Sequence, residues 1–230
     1  MTTSDRLPQT ALAFLADLRD HNDRDWYDAH RKRCDADLIE PCRALVRGVA
    51  AGLAKPFPRI VGSDKKVGGS LTRLHRDTRF GKDKRPFNAH VGLHFWHRAG
   101  KKMQVPGFFL RIDPDELLVA TGYHGPDKPQ LEQIREAIDA DPKGWAAAAH
   151  GKPFRSAWSG LEGEALKRVP APWDADHPHG DDLRRKDFTA FSRWPASAAT
   201  RAGFVDRLVA QWQASDALMG FLCRATGLPW

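Results

Sequence analysis

The chain has 230 residues and a mass of 25.7 kDa, enough for one well-buried core. Apolar residues at 41% and charged residues at 28% are ordinary for a soluble globular protein and suggest neither a disordered chain nor one embedded in a bilayer. The balance of 36 Lys and Arg against 29 Asp and Glu gives a net charge of +7, which favours acidic partners such as phosphates, carboxylates or nucleic acid. The three cysteines, Cys34, Cys42 and Cys223, form no C-x-x-C pair and cannot close a full disulfide set, so a reducing, cytoplasmic setting is expected. The early apolar run Ala11 to Ala16 is cut by Asp17, too short for a signal-peptide core or a membrane span. No membrane partner is expected.

In chain order, Leu12, Leu15 and Leu18 form one helical stripe behind Pro8, whose missing N–H costs nothing at a helix start. A second helix is predicted from Asn22 or Asp23, both good caps, placing Trp26, His30, Arg33 and Asp37 at spacings of three or four. Pro41 either kinks this helix or starts a third, which runs through Leu45, Val49 and Leu53 to the stop at Pro56-Phe57-Pro58. The period then changes from helical to alternating. Ala89, Val91, Leu93 and Phe95 alternate with His90, Gly92, His94 and Trp96, as in a half-buried strand. Phe108, Leu110 and Ile112 repeat the pattern, the turn Asp113-Pro114-Asp115-Glu116 follows, and Leu117 to Tyr123 supplies the returning strand. Helices are predicted through Leu131, Ile134 and Ile138 after Pro129, and around Trp145 after Asp141-Pro142. Short strands are expected at Phe154 to Trp158 and Phe188 to Trp194, and one closing helix from about Gly203 to Arg224. Helices at both ends of a central run of strands predict a single α+β domain over 1–230, with a mainly antiparallel sheet packed by N-terminal and C-terminal helices.

The charge is concentrated. Residues 65–102 hold eleven Lys and Arg against Asp77 and Asp83, a balance of +9, whereas the other 25 basic and 27 acidic residues give −2. Arg73, Arg76, Arg79, Lys82 and Arg85 recur every third residue. On an α-helix that step drifts by about 60° each time and scatters them around the cylinder. Asp77, Gly81 and Pro86 argue instead for an ordered loop feeding the strand near Asn88, able to turn several guanidinium forks toward one anion.

The stretch Arg73-Leu74-His75-Arg76-Asp77-Thr78-Arg79-Phe80-Gly81-Lys82-Asp83-Lys84-Arg85-Pro86-Phe87-Asn88 resembles the pattern R-x-x-R-D-x-R-F-x-x-D-K-x-P-Y-K of the bacterial and fungal domain-of-unknown-function family 2461. Phe87 stands for Tyr and Asn88 for Lys. Two further blocks are similar to that family: Asn22 to Tyr27 with His30, and Leu166-Lys167-Arg168-Val169-Pro170 leading to His177-Pro178, with Pro172 where a glycine is expected. The resemblance implies a single-domain α+β protein and brings no mechanism with it.

Other signatures are weaker. His177-Pro178-His179-Gly180-Asp181-Asp182 approaches an H-x-H-x-D-H metal motif but ends in Asp and has no apolar strand leading into it, so it is read as a surface turn and no metal is assigned. His90 and His94 are four apart, a zinc spacing on a helix but about 13 Å on the strand expected here. Gly68-Gly69-Ser70 lacks P-loop spacing and no G-x-S-x-G elbow occurs, so no cofactor is assigned. The leading expectation is a pocket for a phosphate- or carboxylate-bearing small molecule, held by Arg73, Arg76, Arg79, Lys82, Lys84 and Arg85, with Asp77 orienting an arginine. Trp26, His30 and Trp96 would wall it, and His75 or His94 would serve as acid or base in any reaction. Two alternatives stand beside it: a nucleic-acid module using residues 65–102, and a non-catalytic protein whose charged loop is paired with itself.

Overall fold

A computed structural model describes residues 3–79 and 82–230; Phe80 and Gly81 of the arginine motif lie outside the described residues. The N-terminal helices follow their apolar stripes. In α1 (Gln9–Asp20), capped by Pro8, Leu12, Leu15 and Leu18 are buried as the period requires. Asp23, rather than Asn22, caps α2 (Arg24–Ala29), its carboxylate accepting from Trp26 N–H. After α3 (Arg31–Cys34) the chain passes through a π-helical turn, Asp35–Ile39, into α4 (Glu40–Leu53). Pro41 has no N–H to give to the preceding turn, and the ladder ahead of it lengthens to i→i−5 instead of breaking, as Glu40 N–H bonds Asp35 C=O.

The sheet has six strands: β1 (Ile60–Val61), β2 (Val91–His97), β3 (Gly107–Ile112), β4 (Glu116–Tyr123), β5 (Leu161–Glu162) and β6 (Phe188–Pro195), in the order β1-β2-β3-β4-β6-β5. The sheet is antiparallel and the class is α+β. In β2 the inward residues Val91, Leu93 and Phe95 are fully buried while His94 and Trp96 are half-buried, the alternation expected from the sequence. A capping box of Asp127 and Gln130 opens α5 (Lys128–Ala140), and Asp141 caps α6 (Pro142–His150).

Two expectations are corrected. Residues 152–157 form helix α7 (Lys152–Ala157), not a strand, because Pro153 at its start is preset for helical φ and Phe154 turns inward. The C-terminal helix is two, α9 (Phe204–Gln213) and α10 (Asp216–Ala225). The break is at Ser215, wholly buried, whose hydroxyl donates to Trp212 C=O and meets the Thr121 hydroxyl.

Spatial proximity groups the chain into two compact units. One takes the chain up to Phe95 with Phe109–Val119 and Arg193–Val209. Its core joins α1 and α4 to the π turn, with Phe14, Leu15, Leu38, Leu45, Val49 and Leu93 fully buried. The other takes Trp96–Phe108, Ala120–Ser192 and Ala210–Trp230. There α10 packs on α5 and α6 around Trp145, and Trp212 stacks on Phe108 and donates to Ala120 C=O. The short helix α8 (Gly180–Leu183) follows the proline-rich stretch of this unit.

Candidate functional site

The described residues on the two sides of the arginine segment pair with one another and with β2. The segment's start is tied to β2 by the bridge Leu71–Leu93 and by Thr72 N–H to Gly92 C=O. Further along, His75 bridges Phe87, flanked by Arg76 N–H to Pro86 C=O at 2.9 Å and Asn88 N–H to Leu74 C=O at 2.7 Å. Leu74 and Phe87 are buried and anchor the ribbon. The outer edge of Phe87 is closed by a side chain: Asn22 Nδ2 donates to Phe87 C=O and Asn22 Oδ1 accepts from Phe87 N–H, both at 3.0 Å. An asparagine amide has the donor and acceptor of a peptide group, so here it stands in for a neighbouring strand.

The charged side chains pair largely within the loop. Asp83 accepts from Arg76 at 2.6 Å and takes the fork of Arg85 at 2.7 and 3.1 Å. Asp77 takes the fork of Arg79 at 2.6 and 2.9 Å, and Lys84 donates to Thr78 C=O. The Arg85 and Arg76 hydrogen bonds hold the Asp83 carboxyl well below the usual carboxylate range, and the Arg79 hydrogen bond lowers that of Asp77. Arg73 and Lys82 are exposed.

Beside this ribbon lies a cleft of about 490 Å³. The motif contributes Arg76, Asp83, Arg85, Phe87 and Asn88 to it; Arg19, Asn22, His90 and the β3–β4 turn Asp113–Asp115 complete it. Arg19 pairs with Asp115 at 2.6 Å, and Arg111 with Asp113 at 2.7 Å. Burial pushes the His90 imidazole below its ordinary value; Asp113 opposes this, and Arg111 and Arg76 reinforce it.

The other residues expected at the pocket are elsewhere. Trp26 packs between His21 and His30, with ring centroids 5.5 and 4.2 Å away, and it is Tyr27 that turns toward the loop, stacking on Phe87 at 4.2 Å. His30 Nδ1 bonds Trp26 C=O. His75 sits against Tyr27 and Phe87, and His94 against Phe109. Arg73, Asp77, Arg79, Lys82 and Lys84 are not among the cleft's lining, and Trp96 falls in the other unit. Sequence reasoning missed Arg19, Asp113 and Asp115 as site residues, read Asn22 only as a helix cap and placed His90 on a strand. For Asp113 and Asp115 the acidic composition of the β3–β4 turn could have served as a signal; for Arg19 there was none.

The second histidine-rich stretch is also ordered. His150 and Arg185 both pair with the buried Asp182, at 2.7 and 3.0 Å, and Trp145 Nε1 donates to it at 2.7 Å. Burial pushes this carboxyl up, but the bonds from Trp145, His150 and Arg185 outweigh it and hold the group below the ordinary range. Among the described residues no helix is long and apolar enough to cross a membrane.

No curated protein and no solved structure matches the chain. A family model described as conserved hypothetical protein (DUF2461) matches residues 10–221, a span that takes in the arginine ribbon, the Asn22 clamp and the 166–178 block. The chain belongs to the conserved hypothetical protein family DUF2461.

Proposed function

We propose that the protein binds a compact small molecule carrying a phosphate or carboxylate group, in the cleft beside the arginine ribbon. One observation carries this reading: Arg76 and Arg85, fixed on the shared carboxylate of Asp83, line the same concave surface as Arg19 and His90. A guanidinium has five N–H donors. Arg76 gives only one terminal nitrogen to Asp83, and Arg85 gives Nε and one terminal nitrogen, so both keep donors for a ligand. Because Asp83 already holds the two forks, little side-chain entropy is lost on binding.

The cleft also carries Asp83, Asp113 and Asp115, which balance its three arginines. That balance favours a ligand with a single acid group plus hydroxyl or amine donors over a polyphosphate chain. It weighs against residues 65–102 as a nucleic-acid track, since Arg76, Arg79 and Arg85 are turned back onto Asp77 and Asp83. The reading takes 1–230 as one domain, supported by the interleaving of the two units, each drawn from three separate segments. Three buried thiols with no disulfide between them support a reducing compartment.

The test is a thermal-shift screen of phosphate monoesters and carboxylates against the wild type, Arg85→Ala and Arg76→Ala. Stabilisation by at least one compound, lost in both variants and kept in Lys65→Ala/Lys66→Ala, is expected. No stabilisation by any compound, or shifts unchanged in Arg85→Ala, overturns the reading. Tight, steeply salt-dependent binding of a single-stranded oligonucleotide would transfer the assignment to nucleic acid.

A further inference from the structure

Among the described residues, one group of side chains has the composition and closeness of a metal site: His150, His179 and Asp182, each offering a ligand atom within 4.8 Å of the others. His150 Nε2 is 2.7 Å and His179 Nδ1 3.7 Å from the same carboxylate oxygen of Asp182. The hydrogen bonds around them assign the tautomers. His179 Nε2 lies 2.9 Å from Pro142 C=O, and a carbonyl can only accept, so Nε2 carries the proton and Nδ1 presents its lone pair to the cluster. A backbone carbonyl holding the far nitrogen is the usual outer support of a metal-bound histidine. Asp182 is itself held by two donors, Trp145 Nε1 on the Oδ2 that faces the histidines and Arg185 Nε on Oδ1.

His177, which the sequence offered as the first member of an H-x-H pair, is excluded. Its Nδ1 accepts from His179 N–H and its Nε2 faces Asp139 at 3.3 Å, so both nitrogens are engaged. The histidine that replaces it, His150, comes from the end of α6, 29 positions before His179 in the chain. Linear spacing gave no sign of it.

The cluster opens on a cleft of about 850 Å³ whose wall includes Lys167 and Arg168. His150 is 43% exposed, so when coordination replaces its hydrogen bond to Asp182 the ring changes tautomer: Nε2 gives up its proton and offers its lone pair to the ion, and Nδ1, protonated in its place, donates a hydrogen bond to water. Two imidazoles and one carboxylate suit a borderline divalent ion, and three protein ligands leave a position open toward the cleft. We infer that His150, His179 and Asp182 form a binding site for a divalent ion of the zinc class, with an open coordination position facing the cationic wall of Lys167 and Arg168.

The probe is Co²⁺, whose visible absorption reports nitrogen and oxygen coordination directly, titrated into the metal-free full-length chain and then displaced by Zn²⁺. One saturable equivalent, displaced by Zn²⁺ and lost in both His150→Ala and His179→Gln, is expected. His150 is at the cleft surface, so its substitution should leave the fold intact, which far-UV circular dichroism and the melting temperature of each variant check. Absence of a saturable spectrum, or a spectrum that survives both substitutions, overturns the inference, the latter because other histidines then hold the ion. Arg76→Ala and Arg85→Ala should bind Co²⁺ as the wild type does, so this site and the arginine cleft stand or fall separately.

Discussion

Removing the side-chain clamp on the arginine ribbon tests whether the ribbon is positioned as described. Asn22 makes two hydrogen bonds to the backbone of Phe87, a residue only 2% exposed. Each such bond contributes about 0.5–1.5 kcal/mol net, so Asn22→Ala should cost about 1–3 kcal/mol. For a chain of this size that is a fall of about 2–12 °C in melting temperature. Asn22→Asp is the sharper probe. It keeps an acceptor for Phe87 N–H but turns a carboxylate oxygen toward Phe87 C=O, two acceptors face to face. At pH 7 it should be less stable than Asn22→Ala, where water from the cleft can reach the carbonyl. Protonation restores a donor, so the folded state raises the pKa of this new carboxyl, and relative to wild type the variant should regain stability as pH falls through that value. Urea unfolding at pH 7 and pH 4.5, wild type beside both variants, gives the comparison. A loss below about 0.5 kcal/mol for Asn22→Ala, the range of an ordinary surface change, would refute the clamp, as would Asn22→Asp matching wild type at pH 7.

Three further outcomes follow from other parts of the molecule. All three thiols are buried, with Cys42 and Cys223 pushed up to about 12 by burial, so a disulfide exchange reagent should find no fast-reacting cysteine in the native chain and three in denaturant. Gly122 has φ +116°, and a Cβ there would sit 2.0 Å from Phe188 C=O, so Gly122→Ala must part β4 from β6 and should destabilise by about 2 kcal/mol or more on thermal unfolding. The folded state depresses the His90 pKa below 6.5, so the unfolded chain binds the proton more readily; stability should be full above about pH 6.5 and fall as pH drops through the lower folded value. The facing groups are Asp113, Arg111 and Arg76, and His90→Gln should flatten the slope of stability between pH 7 and pH 5.

Local pattern was enough where an element is specified by its own residues. The stripe Leu12, Leu15, Leu18, the alternation Val91, Leu93, Phe95 and the helix opened by Pro129 through Ile134 and Ile138 each encode a period or a start signal within a few positions, and each folded as read. Where two local signals compete, the sequence misled. Aromatics at Phe154 and Trp158 suggested a strand, but Pro153 at a helix start prevailed; the long C-terminal stripe suggested one helix, but the buried Ser215 hydroxyl took the Trp212 carbonyl and ended it.

The amino-acid sequence by itself determined that this is an α+β chain of a recognisable family, with its positive charge gathered in residues 65–102. It did not determine which charges are engaged. Composition put +9 in that window, yet Asp83 holds Arg76 and Arg85 at once, and Asp113 and Asp115 reach the same cleft from a turn about thirty positions away. Likewise His150 and His179 meet only because α6 ends beside Asp182. Charge and ligation act over a few ångströms in space, and chain separation says nothing about that distance until the fold has closed the loops between.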